Sequence, residues 1–91
     1  MNTKQMTLGE AIARIDRDDF LNRFRVAGKN GVTRETINEW AARELWASGW
    51  RAEGPTSATV AANQLLRDLG DSLRHWDITH RGLRQRRWAI K

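Results

Sequence analysis

The sequence has 91 residues, which is enough for one domain and too few for two. It holds no Cys and no apolar run of the ~20 residues that a membrane span needs, so we exclude disulfides, thiolate catalysis and a membrane partner and expect a cytoplasmic protein. The net charge is +5, and the whole excess lies in the last eleven residues, which carry no acid and hold Arg81, Arg84, Arg86, Arg87 and Lys91.

Helical structure is predicted for residues 7–26. Thr7-Leu8-Gly9-Glu10 has the spacing of a capping box, in which a hydroxyl and a carboxylate bond to each other's backbone N–H groups. The polar run Asp16-Arg17-Asp18-Asp19 then separates two sets of apolar residues that are out of phase with each other. One long bent helix and two short helices, the second capped by Asp18, both fit this pattern.

A second helix is predicted for residues 33–48, with Thr33 as its N-cap. Its apolar face recurs at helical spacing and consists of Ile37, Trp40, Ala41 and Leu45. Gly49 has the place of the left-handed residue that ends a helix, and Trp50 would then contact Leu45 as in a Schellman motif.

A third helix is predicted for residues 56–69, between a loop with Gly and Pro and the terminating Gly70. Small apolar residues cover one arc of this helix. The opposite arc carries side chains suited to base edges, because Asn and Gln match adenine, Arg matches guanine and Val meets a thymine methyl. These candidate nucleic-acid-binding residues are Thr59, Val60, Asn63, Gln64 and Arg67. An ordinary solvated surface is the alternative interpretation of this arc.

The segment 73–91 alternates with a period of two on both sides of Gly82, which favours a β-hairpin over a terminal amphipathic helix. The arginines of this hairpin suit phosphates. We therefore expect a nucleic-acid contact from the basic residues of the segment, namely Arg81, Arg84, Arg86, Arg87 and Lys91. The helical alternative would remove the hairpin.

These elements together predict a mainly α fold of three or four helices, of winged helix-turn-helix type, with a C-terminal basic β-hairpin as the wing. In this design the third helix enters the major groove and the hairpin contacts the backbone or a minor groove. The stretches VTRETINEWAARELWASGW, LLRDLG and RGLRQRRWAI resemble the winged-helix domain at the C-terminus of poxvirus-type primase-helicases of phages and plasmids. The resemblance implies binding of double-stranded DNA, here by a free-standing regulator or accessory protein of a phage or mobile element.

A second hypothesis is a phage-type inhibitor or adaptor that binds a host protein complex, such as a defence or transcription complex. The chain has five Trp, more than so small a core accommodates, and exposed Trp and Arg are typical anchors of protein interfaces. Phe20, Leu21 and Phe24 either complete the core or mediate a homodimer. RNA is a third partner that the Arg-rich segment fits.

No catalytic machinery is predicted, and we expect neither an enzyme nor a cofactor. His75 and His80 are the only histidines, and two His without Cys make a poor metal set. Gly28-Lys29-Asn30-Gly31 is a loop that lacks the spacing of a phosphate-binding glycine motif.

Overall fold

The structure is a computed structural model that describes residues 6–51 and 56–91. Its elements, in chain order, are α1 (Leu8–Ala13), α2 (Arg17–Ala27), β1 (Val32–Thr33), α3 (Arg34–Ala47), α4 (Thr56–Asp68), a 3₁₀ turn (Gly70–Ser72), β2 (Leu73–His80) and β3 (Leu83–Ile90). The strands form one antiparallel sheet in the order β1-β3-β2. The described chain is therefore a small α+β domain of four helices and a three-stranded sheet.

The N-terminal helical segment consists of two helices, not one bent helix. Asp16 caps α2, because its carboxylate accepts the backbone N–H groups of Asp18 and Asp19 at 2.9 and 3.2 Å. The predicted cap at Asp18 was therefore wrong by two residues. Arg17 closes the end of α1, since its Nη1 donates to the carbonyl oxygens of Ile12 and Ile15 at 2.7 and 2.8 Å.

Helix α3 has the two ends that its sequence predicts. The Thr33 hydroxyl accepts the N–H of Thr36 at 3.3 Å, which makes Thr33 the N-cap. At the other end Gly49 has a φ of 101°, and the N–H of Trp50 donates to the Leu45 carbonyl at 2.9 Å. This six-residue bond is the defining contact of a Schellman motif.

The core lies between the helices and one face of the sheet. Its largest fully buried side chains are Phe20, Phe24, Ile37 and Leu65. Phe24 meets Trp40 edge to face, with ring centroids 5.2 Å apart. Because Phe20, Leu21 and Phe24 are all buried in this core, they complete the fold and offer no surface to a second copy.

The C-terminal segment is the β-hairpin and not the terminal helix. Arg81 and Gly82 connect the strands, and both have positive φ, 52° and 78°, as a type I′ turn requires. Strand β1 pairs with β3 only at Val32–Trp88 and Thr33–Arg87. Beyond these pairs the hairpin is two-stranded, and its last four cross-strand pairs extend roughly 13 Å, at about 3.3 Å per residue.

The register assigns each hairpin side chain to one of two faces, because directly paired residues lie on the same side of a sheet. The pairs Trp76–Arg87 and Ile78–Gln85 define what we call the Trp76 face, which also carries Arg74. The opposite Trp88 face carries the polar and aromatic residues His75, Asp77, Arg84, Arg86 and Trp88. At its base, the Trp88 face also carries buried Leu73 and Val32, through which the sheet joins the core.

Candidate nucleic-acid interface

Most of the candidate residues on the outer face of α4 are exposed, as the sequence predicts. Thr59, Asn63 and Arg67 are exposed, and Val60 retains 42% of its surface. The apolar side of the helix is buried through Ala61, Ala62 and Leu65. The exposed stretch consequently combines hydrogen-bonding groups with the apolar side chain of Val60.

Gln64 lies differently from the rest of this set. Its side chain is half-buried, and its amide nitrogen donates to the Asp68 carboxylate at 2.9 Å. Asp68 also forms an ion pair with Arg17 at 2.7 Å, which ties α4 to the start of α2. The hydrogen bond from Arg17 and then the one from Gln64 hold the pKa of Asp68 below its ordinary value. In this structure Gln64 therefore supports a helix contact.

Arg34 joins the N-terminus of α3 to the outer face of α4. Its guanidinium donates to the side chain of Asn63 and, at 3.3 Å, to the carbonyl oxygen of Thr59. Its Nε also donates to the Asn38 side chain at 2.9 Å, which fixes the orientation of the guanidinium. Arg34 was not among the predicted site residues, because no periodic pattern in the sequence distinguishes a side chain of the first turn of α3 that reaches another helix.

The basic residues of the last segment are distributed over four places instead of one. Arg84 and Arg86 lie on the Trp88 face, Arg87 lies on the Trp76 face, and Arg81 lies in the turn between the strands. Lys91 lies at the far end of the hairpin from that turn, where its backbone N–H donates to Ser72 at 3.0 Å.

The charge of Arg86 is compensated by a neighbour on the same face. Its Nε donates to the Asp77 carboxylate at 2.9 Å, and both side chains remain partly open to solvent. The hydrogen bond from Arg86 lowers the pKa of Asp77, and the same contact raises the pKa of Arg86. Arg86 is therefore a weaker anion partner than the sequence implies.

On the Trp76 face, the hairpin and the loop before β1 enclose an open concavity of about 580 Å³. We call it the basic cradle, and its lining residues are Lys29, Asn30, Arg74, Trp76, Ile78 and Arg87. The lining has three cations and no acidic residue. The arrangement thus combines positive charge with an apolar and aromatic floor.

The two arginines of the cradle are held by neutral groups. Arg74 donates to the carbonyl oxygen of Lys29 at 3.0 Å, and its guanidinium carbon lies 4.4 Å from the centre of the Trp76 ring. Arg87 donates to the Gln85 side chain at 3.1 Å and to the carbonyl oxygen of Asn30 at 3.4 Å. Both guanidinium groups are therefore oriented without losing their net charge.

Three comparisons give no relative from which a function could be transferred. The chain matches no protein-family model, no curated protein and no solved structure. Within residues 6–51 and 56–91, no group of three or more His, Cys, Asp or Glu is placed to hold a metal ion. No helix in this part of the chain has the length and the apolar character to cross a lipid bilayer.

Proposed function

We propose that this protein is a small winged-helix DNA-binding protein, which places α4 in the major groove and the hairpin along the backbone. The order of elements supports this proposal, because a helix, a short strand, two helices and a hairpin follow one another, and the short strand pairs with the second hairpin strand. A relationship to the winged-helix domains of primase-helicases, and a role in regulation within a phage or mobile element, belong to the same proposal.

The observation that carries the proposal is the surface shared by α3 and α4. Arg67 and the side-chain NH₂ group of Asn63 offer donors to base edges. The Asn63 oxygen accepts from Arg34, which brings a positive charge to the same surface. Arg34 lies in the first turn of α3, and its guanidinium reaches the outer face of α4. An Arg at such a surface is a usual partner of a DNA phosphate.

A fluorescence titration with random-sequence duplex DNA at several salt concentrations tests this proposal. The affinity should fall steeply with salt, because each neutralised phosphate releases counterions. Asn63→Ala and Arg67→Gln should then each reduce discrimination between bases by about 1–3 kcal/mol in a site-selection assay. Arg43→Gln is the matched control, since Arg43 is an exposed Arg on the opposite side of α3 from its buried stripe.

Two results would contradict the proposal. If the protein does not bind duplex DNA even at low salt, DNA is not its partner. Binding that Arg43→Gln weakens as much as Arg67→Gln would show that any surface charge contributes and that α4 has no special role.

A protein partner is the second proposed function, and the observation that favours it is Trp46. This side chain is 63% exposed, and the Arg51 guanidinium stacks on its ring at 3.6 Å. Exposed Trp and Arg are the residue types that dominate protein-interface energetics. If the protein binds a host complex and Trp46→Ala abolishes that binding while duplex DNA is ignored, this second function replaces the first.

A further inference from the structure

The basic cradle combines an aromatic floor with three cations. The proposed contact with duplex DNA does not use this floor. We propose that the cradle binds one unpaired nucleotide of a nucleic-acid strand that leaves the duplex on α4. Lys29 and the two cradle arginines bind its phosphate, and its base packs on Trp76 and Ile78. This inference rests on the proposed DNA-binding function and extends it to a single-stranded segment.

The cradle carries three positive charges that no carboxylate compensates. Among the described residues, three arginines form ion pairs with carboxylates, namely Arg17, Arg23 and Arg86. The cradle arginines instead bond to backbone carbonyl and amide oxygens, and no acidic residue lines the cradle. Its three positive charges are therefore uncompensated locally, and their shared potential favours an anionic ligand.

The floor of the cradle is apolar and aromatic. Trp76 and Ile78 are half-buried residues on the same face of β2, so they form an apolar patch between the cations. Inorganic phosphate would leave this patch exposed to water. A nucleotide covers it, because each of the bases has a π face that stacks on an aromatic ring.

The Trp76 ring is held in a fixed position by the loop before β1 and by Arg74. A Cβ atom on Gly31 would lie 2.7 Å from Trp76 Cη2, so the ring packs directly against the backbone of the loop. Arg74 lies over the ring at 4.4 Å and bonds to Lys29 in the same loop. Trp76 is thus held in place before the ligand arrives, which reduces the entropy lost on binding.

The cradle is linked to α4 through the sheet, and stacking inside it requires an unpaired base. Arg87 pairs with Thr33 across the sheet, and Thr33 directly precedes Arg34, which contacts Asn63 on α4. These links connect the cradle to α4, and the proposed strand follows them from the duplex to the cradle. A paired base presents only its edges in the grooves, whereas stacking on Trp76 needs a base outside the duplex stack.

The test compares the binding of the full chain to two labelled DNAs by fluorescence anisotropy. One DNA is a blunt duplex, and the other is the same duplex extended by a short single-stranded tail. We expect the tail to strengthen binding about tenfold, in the range of one stacked base. Lys29→Gln and Trp76→Leu should each remove most of that gain, because the first removes a cation and the second removes the aromatic ring. Lys29→Gln is the safer variant for folding, because the Lys29 contribution to the loop contacts is its backbone carbonyl.

Arg84→Gln is the matched control, since it removes the same charge from the same hairpin on the Trp88 face. It should leave the gain from the tail intact. A tail that adds nothing to a salt-dependent duplex affinity would overturn this inference and leave the proposed function standing. The absence of binding to either DNA would overturn both.

Two further results would also overturn the inference. If Arg84→Gln reduces the gain as much as Lys29→Gln, the tail acts through general electrostatics. If a polyglutamate peptide displaces the tail as well as an unlabelled oligonucleotide of equal charge, the cradle is a site for acidic peptides.

Discussion

Replacing Gly31 by Ala tests the packing that fixes the floor of the basic cradle. Gly31 has a φ of +79°, and a Cβ atom there would lie 2.7 Å from Trp76 Cη2 and 3.0 Å from the Trp88 carbonyl oxygen. The left-handed backbone costs an Ala residue about 1–2 kcal/mol. Forcing the ring and the strand apart adds about 1–3 kcal/mol. Gly31→Ala should therefore lower the free energy of unfolding by about 2–5 kcal/mol.

Gly82 provides a matched control, because its φ of +78° is almost the same and no atom lies within 4 Å of an added Cβ. Gly82→Ala carries the backbone cost alone, about 1–2 kcal/mol. Urea unfolding followed by far-UV circular dichroism measures both changes without depending on the environment of any Trp. The two variants thus separate the conformational preference of glycine from the contact with Trp76.

Equal losses in the two variants would refute the reasoning. Such a result would mean that Trp76 is not packed against the loop, and the cradle would then lack the fixed ring on which base stacking depends. A larger loss in Gly31→Ala should coincide with a reduced gain from the single-stranded tail, since the displaced ring no longer lies beside Lys29 and Arg87.

Three further predictions concern the core and the hairpin. Phe24→Ala should cost about 3–5 kcal/mol in urea unfolding, because it empties a fully buried site and removes ring contacts to Phe20 and Trp40. Asp77→Asn should strengthen duplex binding at low salt and steepen the slope of log K against log salt by about 0.9, since it frees Arg86 for one more phosphate; an unchanged slope would show that the Trp88 face does not contact the backbone. The pKa of Asp77 is lowered in the fold, so the ion pair stabilises the protein above the unfolded pKa of 3.8, and this contribution is lost as the pH falls through the lowered value. In thermal unfolding, the Tm of the native protein should consequently exceed that of Asp77→Asn at neutral pH, and this Tm difference should vanish in acid. A Tm difference that stays constant with pH would exclude the ion pair as its cause.

The local parts of the fold could be predicted because they depend on near neighbours in the sequence. The N-cap at Thr33, the Schellman motif at Gly49 and the hairpin around Gly82 each involve contacts over a few residues. The break between α1 and α2 was also visible as a polar run. Its cap was misplaced, because the acidic residues of that run are equivalent in the sequence and only the backbone geometry makes Asp16 the acceptor.

Long-range contacts could not be predicted in the same way. Strand β1 has only two residues, and it is a strand only because Val32 and Thr33 pair with β3, more than fifty positions later. The cradle likewise depends on the contact of Arg74 with Lys29, across 45 positions. Neither contact leaves a periodic pattern in the sequence, so Lys29, Arg34 and Arg74 were absent from the predicted site.

The distribution of ion pairs, as well as the distribution of charge along the chain, determines which positive charges of this structure are compensated. Counting residues assigns the whole excess to 81–91, but Arg86 in that segment is paired with Asp77. Lys29 and Arg74 belong to the part of the chain that is neutral overall, yet they line a concavity without acidic residues. Because the carboxylate offsets part of the positive charge of a paired arginine, we expect an arginine held by carbonyl oxygens to attract a phosphate more strongly. The loop before β1 therefore contributes to the proposed interface as directly as the arginine-rich strand does.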